Sequence, residues 1–209
     1  MRGVKSNLLA LLLICFMPRT TNGQKVTFCS LSGAERWWVI THPFVAKRAL
    51  KVSRIALSES RKLEKDTVLD RDPAGGRVDA FRHAYWMALL VREMKAAKAL
   101  ALGRAHEKGN YKRWKKQKKE MEEGVVSDSV MSAMDLLNNQ TGVELGMSNL
   151  HADTAELKRI IINAVLEGKM KIILKDLSGK WLLCTGELPD KSLYLQQWNI
   201  PKCLVSSKR

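Results

Sequence analysis

Eight side chains in this sequence have types and spacings that could do chemistry together. Asp79, Arg82 and His83 stand within about one helical turn, inside the otherwise apolar stretch DAFRHAYWMALLVREM at residues 79–94. Asp79 and His83 are four positions apart, so on a helix they stack on one face. His106 and Glu107 close an alanine-rich stretch, and Asp135, Asn138 and Asn139 form a polar row beside the apolar stripe of Val130, Met134 and Leu137. Imidazole with carboxylate oxygen is a workable ligand set for a divalent metal such as zinc or manganese. The candidate ligands are Asp79, His83, His106 and Asp135. Among the candidate catalytic groups, His83 and Glu107 could exchange protons, with Glu107 acting on a bound water. Arg82 could hold an anionic group, and Asn138 and Asn139 could orient a substrate. The competing reading of the same residues is an internal network of ion pairs and hydrogen bonds that fixes helix register. Either way these groups need partners, because buried charge is costly unless paired, hydrogen-bonded or metal-bound.

The elements that must position them read as helices. Residues 79–94 hold no Gly or Pro and are apolar on most faces, which marks a helix buried in the core. Before it, residues 34–40 predict a helical turn with Trp37 and Trp38, and Pro43 suits the first turn of a helix over residues 43–65. The Asp-, Pro- and Gly-rich run 70–78 is a loop; with no Gly-Lys-Ser/Thr after it, a phosphate-binding loop is disfavoured. Residues 95–107 are helical by propensity, and Gly103 with its neighbouring alanines permits close packing. A further helix spans 127–142 with Ser127 or Asp128 as cap, its end loosened by Gly142 and Gly146. Another spans 154–167, started by Asp153 and Glu156 and closed by Gly168. Residues 171–174 and 181–184 flank Asp176-Leu177-Ser178-Gly179 and read as a hairpin. The expected fold is mainly α, a compact helical bundle with a short C-terminal β-hairpin and a loop-rich tail. A leader over 1–23, a helical domain over 24–168 and a tail over 169–209 divide the chain.

The leader has a basic start at Arg2 and Lys5, an apolar core over 8–16 and a small-residue end at Thr21-Asn22-Gly23, the pattern of a secretory signal. Its apolar run is too short for a bilayer, which needs about 20 residues. Ile14 before Cys15 is a poor match to lipoprotein processing, so anchoring is the lesser alternative to a free periplasmic or extracellular protein. The formal charge is +15, and Arg2, Lys5 and Arg19 leave with the leader while no acid does, so the mature charge is three lower, +12. Much of that excess sits at 108–119, which contains Lys112, Lys115, Lys116, Lys118 and Lys119 with Tyr111 and Trp114 interleaved. This segment could bind a polyanion or an envelope component, with the aromatics stacking on bases; the plainer reading is a solvated helical face. Of the cysteines left after the leader, Cys184 and Cys203 are the expected pair, with Cys29 unpaired; the alternative is that all three are reduced.

DAFRHAYW, AHE and MDLLNNQTG, in that order, resemble a domain of unknown function found in bacterial secreted proteins and as a terminal module of polymorphic-toxin-like proteins. Its pattern is (N/D)AFRHAxW, AHE and MDxxNNxxG, after a start like Trp38 and His42-Pro43 here. The resemblance covers residues 37–146 and implies a shared polar site without naming its reaction. The basic segment between AHE and MDLLNN departs from the family pattern. Two functions follow as expectations. One is a secreted hydrolase, metal-dependent, acting on an anionic ester or a cell-envelope polymer. The other is a non-enzymatic envelope or polyanion-binding module whose polar motifs are structural.

Overall fold

The structure, a computed structural model, describes residues 28–117, 127–190, 194 and 196–209. Residues 1–27, which hold the expected leader, and residues 118–126, with Lys118 and Lys119, lie outside the described residues. Among these, six α-helices and one two-stranded antiparallel sheet form a mainly α bundle, as the periodicities predict.

Helix α1 (Gly33–Thr41) starts at a capping box in which the Ser32 hydroxyl accepts from the Glu35 N–H and the Glu35 carboxylate accepts from the Ser32 N–H. Helix α2 (Pro43–Leu63) begins on its proline and buries Val45, Ala49, Val52, Ala56 and Leu63. Helix α3 (Arg77–Glu93) is the hub, packed on α2, α4 (Ala96–Gln117), α5 (Ser129–Ser148) and α6 (Thr154–Leu166). Val78, Ala80, Phe81, Ala84, Tyr85, Met87, Ala88 and Leu90 of α3 are wholly inaccessible. An apolar surface on nearly every side is what such a position requires. Gly76, the α3 cap residue, has no side chain to offer, so Asp70 reaches across and accepts from the Arg77 and Val78 N–H groups at 2.6 and 3.3 Å.

Two helices run longer than expected. The basic stretch after Glu107 is helical as far as it is described, because α4 continues to Gln117. Helix α5, capped by Asp128, passes through Gly142 and Gly146 to Ser148. These glycines do not loosen its end. A Cβ at 142 would lie 2.6 Å from the Ala84 Cα, and one at 146 would lie 2.6 Å from the Ala88 Cα. They are the places where the α5 and α3 backbones touch, and the absent side chains allow that approach.

The sheet forms near the C-terminus with a different partner from the one expected. Strand β1 (Lys171–Ile173) pairs with β2 (Leu204–Ser206), Ile172 opposite Val205. The turn at Asp176–Gly179 does form, closed by the isolated bridge Lys175–Trp181. Cys184 and Cys203 are joined, with Cα atoms 4.8 Å apart. Cys29 is also disulfide-bonded, contrary to the expectation of an unpaired thiol.

Candidate functional site

Helix α3 enters the core with its polar first turn facing α5. Asp79 is held by the Gly75 N–H at 2.7 Å, donated from a residue at φ +91, and by the Arg82 guanidinium. Arg82 is anchored in turn by the Pro73 carbonyl at 3.1 Å. One turn on, His83 points between the helices. Its Nε2 is 3.5 Å from Asp79 Oδ1 and 3.4 Å from Asp135 Oδ2, and its Nδ1 is 3.4 Å from Asn139 Oδ1. Asp79, His83, Asp135 and Asn139 are each, as whole residues, at most 5% exposed.

Those spacings are informative. Ordinary hydrogen bonds between nitrogen and oxygen measure about 2.7–3.2 Å, so His83, which also lies 3.5 Å from the Arg82 guanidinium, makes four polar contacts and no short one. Two ligands each about 2.0–2.1 Å from a tetrahedral zinc lie roughly 3.3 Å apart, close to the observed pair of separations. One donor atom from each of Asp79, His83 and Asp135 lies within 4.8 Å of the others. Asp135 Oδ1 and Asn139 Nδ2, both buried, have no hydrogen-bond partner among the described residues. The donor set and the unused oxygen both suit a divalent cation.

Electrostatics point the same way. Burial pushes the Asp135 carboxyl well above its ordinary range, and the fields of Asp79 and Glu107 add to it. Burial raises Asp79 too, against the pull of Arg82. His83 is driven well below its usual value by burial and then by Arg82 and His106, so its ring is neutral and carries a free lone pair. Asp79, Glu107 and Asp135 thus crowd three buried carboxyl groups around Arg82, with His106 tied to Glu35 at the edge, and a further positive charge would be stabilised among them.

The other candidates are distributed around this centre. His106 stands beside it, its ring centroid 6.1 Å from that of His83, but its Nδ1 bonds Glu35 Oε1 at 2.8 Å. Burial opposes charge on both partners; the hydrogen bond and mutual attraction outweigh it, raising His106 and lowering Glu35. Glu107 is buried between α4 and α5, where it accepts from Ser132 Oγ at 2.8 Å and from Asn110, and burial raises its pKa. Asn138 turns away from its neighbour: it accepts from the Lys171 N–H at 2.8 Å and donates to the Lys171 carbonyl at 2.9 Å, tying α5 to β1. Glu35 is the participant that sequence reading missed. Ser32-x-x-Glu35 reads as a cap, and Glu35 does cap with one oxygen while holding His106 with the other.

A cavity of about 210 Å³ opens beside the centre, lined by α1, α2, α3 and α4. Arg82, His83, His106 and Glu35 supply its polar side; Ala46, Ala49, Leu50, Ala56, Leu57 and Leu102 are among the apolar residues of the rest.

An all-helical domain with an inward-facing carboxylate–imidazole cluster on two packed helices is thus the class of protein the fold and site define. The chain belongs to the family described as Domain of unknown function (DUF6973), whose model matches residues 36–169 and so takes in most of α1, all of α2–α6 and all eight candidate residues, with Glu35 just outside it. No curated protein and no solved structure matches it.

Proposed function

We propose that the protein is a divalent-metal-dependent hydrolase of an anionic ester, acting outside the cytoplasm. The carrying observation is the Asp79–His83–Asp135 cluster, with its three donor atoms within 4.8 Å of one another and the unpartnered Asp135 Oδ1. The three side chains would hold the metal; zinc or manganese suits the donors. Bound there, the metal would supply a water acidic enough to attack at neutral pH and would polarise the ester carbonyl or phosphoryl oxygen. Arg82, held by Asp79 and Pro73 while lining the cavity, binds the anionic group of the substrate. Asn139 Nδ2, a buried donor with no partner of its own, is available to orient a substrate oxygen. His106, kept protonated by Glu35 at the cavity wall, can give a proton to the leaving group. The leader and the Cys184–Cys203 disulfide support work in an oxidising compartment. No helix among the described residues is long and apolar enough to cross a membrane.

One observation favours the rival, a non-enzymatic module with a structural network. The Arg82 guanidinium bonds Asp79 and lies 3.5 Å from His83 Nε2, which places a cation of the protein's own beside the cluster. Hydrolysis of nitrophenyl carboxylate and phosphate esters, with and without added zinc or manganese, separates the two. The hydrolase reading expects metal-stimulated turnover that His83→Ala abolishes with the circular dichroism spectrum unchanged. No turnover on any ester with any metal, or unfolding of His83→Ala, supports the module.

A further inference from the structure

We infer that the cavity beside the cluster binds a straight, medium-length acyl chain, with its carboxylate or ester head at Arg82. The shape of the wall is the first reason. Ala46, Ala49, Leu50, Ser53, Ala56 and Leu57 line it along one face of α2. At about 1.5 Å per residue they run roughly 16 Å along the helix axis, which suits an extended chain better than a disc. Small alanines alternate with leucines there, leaving a trough rather than a filled ridge.

Chemistry is the second reason. The one hydroxyl on that wall is engaged, Ser53 Oγ donating to the Ala49 carbonyl at 2.8 Å and accepting from Trp86 Nε1 at 2.9 Å. The polar groups gather instead on the opposite side, where Arg82, His83 and His106 face the cavity together with Glu35, whose carboxylate is already paired with His106 and so leaves Arg82 as the cation open to a head group. An apolar trough with one cationic side matches an amphipathic molecule with a single anionic or ester head, and offers nothing to the many hydroxyls of a polysaccharide. Size is the third reason: a cavity of about 210 Å³, at about 30 Å³ per water-sized group, holds on the order of seven or eight carbons. The inference rests on the proposed hydrolytic site only for what then happens to the head group.

The test is a titration of purified protein with straight-chain carboxylates from butanoate to tetradecanoate, below their micelle concentrations, followed by calorimetry. Affinity should tighten roughly fourfold per added methylene and level off near octanoate. Ala49→Leu should move the plateau to shorter chains and Leu57→Ala to longer ones. If Ala49→Leu does not fold, the shift in Leu57→Ala still decides. Absence of binding, affinity that climbs without a plateau, or a plateau unmoved in Leu57→Ala overturns the inference. Because no metal or turnover is needed for this readout, loss of the hydrolase reading would leave a length-selective plateau intact. Hydrolysis of short esters with no chain selectivity would remove the acyl pocket alone.

Discussion

Asn138 and Asn139 are adjacent in sequence and opposite in role, which makes them a sharp test at the scale of the residue. Asn138 makes two short bonds to the Lys171 backbone. Asn138→Ala should therefore cost about 1–2 kcal/mol, since it leaves the part-buried Lys171 N–H and carbonyl without their partner, and denaturant melts would read this. Asn139 has an unpartnered amide nitrogen and one long contact to His83, so Asn139→Ala should cost less than about 1 kcal/mol while lowering turnover. The Glu35–His106 pair makes a pH prediction. Glu35 is lowered on folding, so its contribution is present above its unfolded pKa and is lost as pH falls through the folded one. His106 is raised, so its contribution is present below its unfolded pKa and is lost as pH rises through the folded one. The difference in melting temperature between wild type and Glu35→Gln should be largest between those limits and shrink on both flanks. A difference independent of pH would mean the pair is not ionised. Much of this site was legible in the sequence: Asp79, His83 and Asp135 were marked by charge beside apolar stripes, and they converge. Glu35 was hidden because a capping glutamate needs no second explanation, and the direction each asparagine takes depends on β1, which sequence spacing does not locate.

At the scale of the element, the contact of α3 with α5 holds the centre together, because Asp79 and His83 come from one and Asp135 and Asn139 from the other. Gly142 and Gly146 set how closely these helices approach. Gly142→Ala must push the α3 backbone aside and should cost at least about 2 kcal/mol. Gly33→Ala, at a helical position with nothing within 4 Å of a new Cβ, should be neutral or stabilise by roughly 0.5 kcal/mol. Thermal melts of both variants check the pair, and equal effects would contradict the close-approach account. Helix periodicity made all six helices readable. The end of α5 was misjudged because glycine breaks helices locally, and its steric purpose here lies on another helix. The partner of β1 was missed because it enters from β2, beyond the nearby turn, and is held by the tail's own tethers.

Those tethers belong to the whole molecule. Arg77 Nε donates to the Ser207 carbonyl at 2.7 Å, Lys202 pairs with Asp128 at 2.5 Å, and the Cys184–Cys203 bond closes the tail on itself. Removing this bond by Cys184→Ala with Cys203→Ala should destabilise by about 3 kcal/mol through loop entropy yet leave the cluster on α3 and α5 able to bind its ligand. The basic end of α4 is the other feature of this scale. Tyr111 and Trp114 stack on each other and both pack against Trp198 of the tail, so these rings serve to dock the tail, which weakens the case for a base-stacking platform. Any polyanion binding there should be purely electrostatic and fall steeply with salt.

The central claim is that Asp79, His83 and Asp135 hold a metal, and metal content measured alongside melting tests it most directly. Purified mature protein, dialysed against zinc or manganese and then against buffer, should retain the ion at near-stoichiometric level. His83→Ala and Asp135→Asn should lose it while melting within a few degrees of the metal-stripped wild type. Wild-type protein that retains no ion, with both variants destabilised by the roughly 3–5 kcal/mol expected when one partner of a buried ion pair is removed, would contradict the account and leave a structural network in its place.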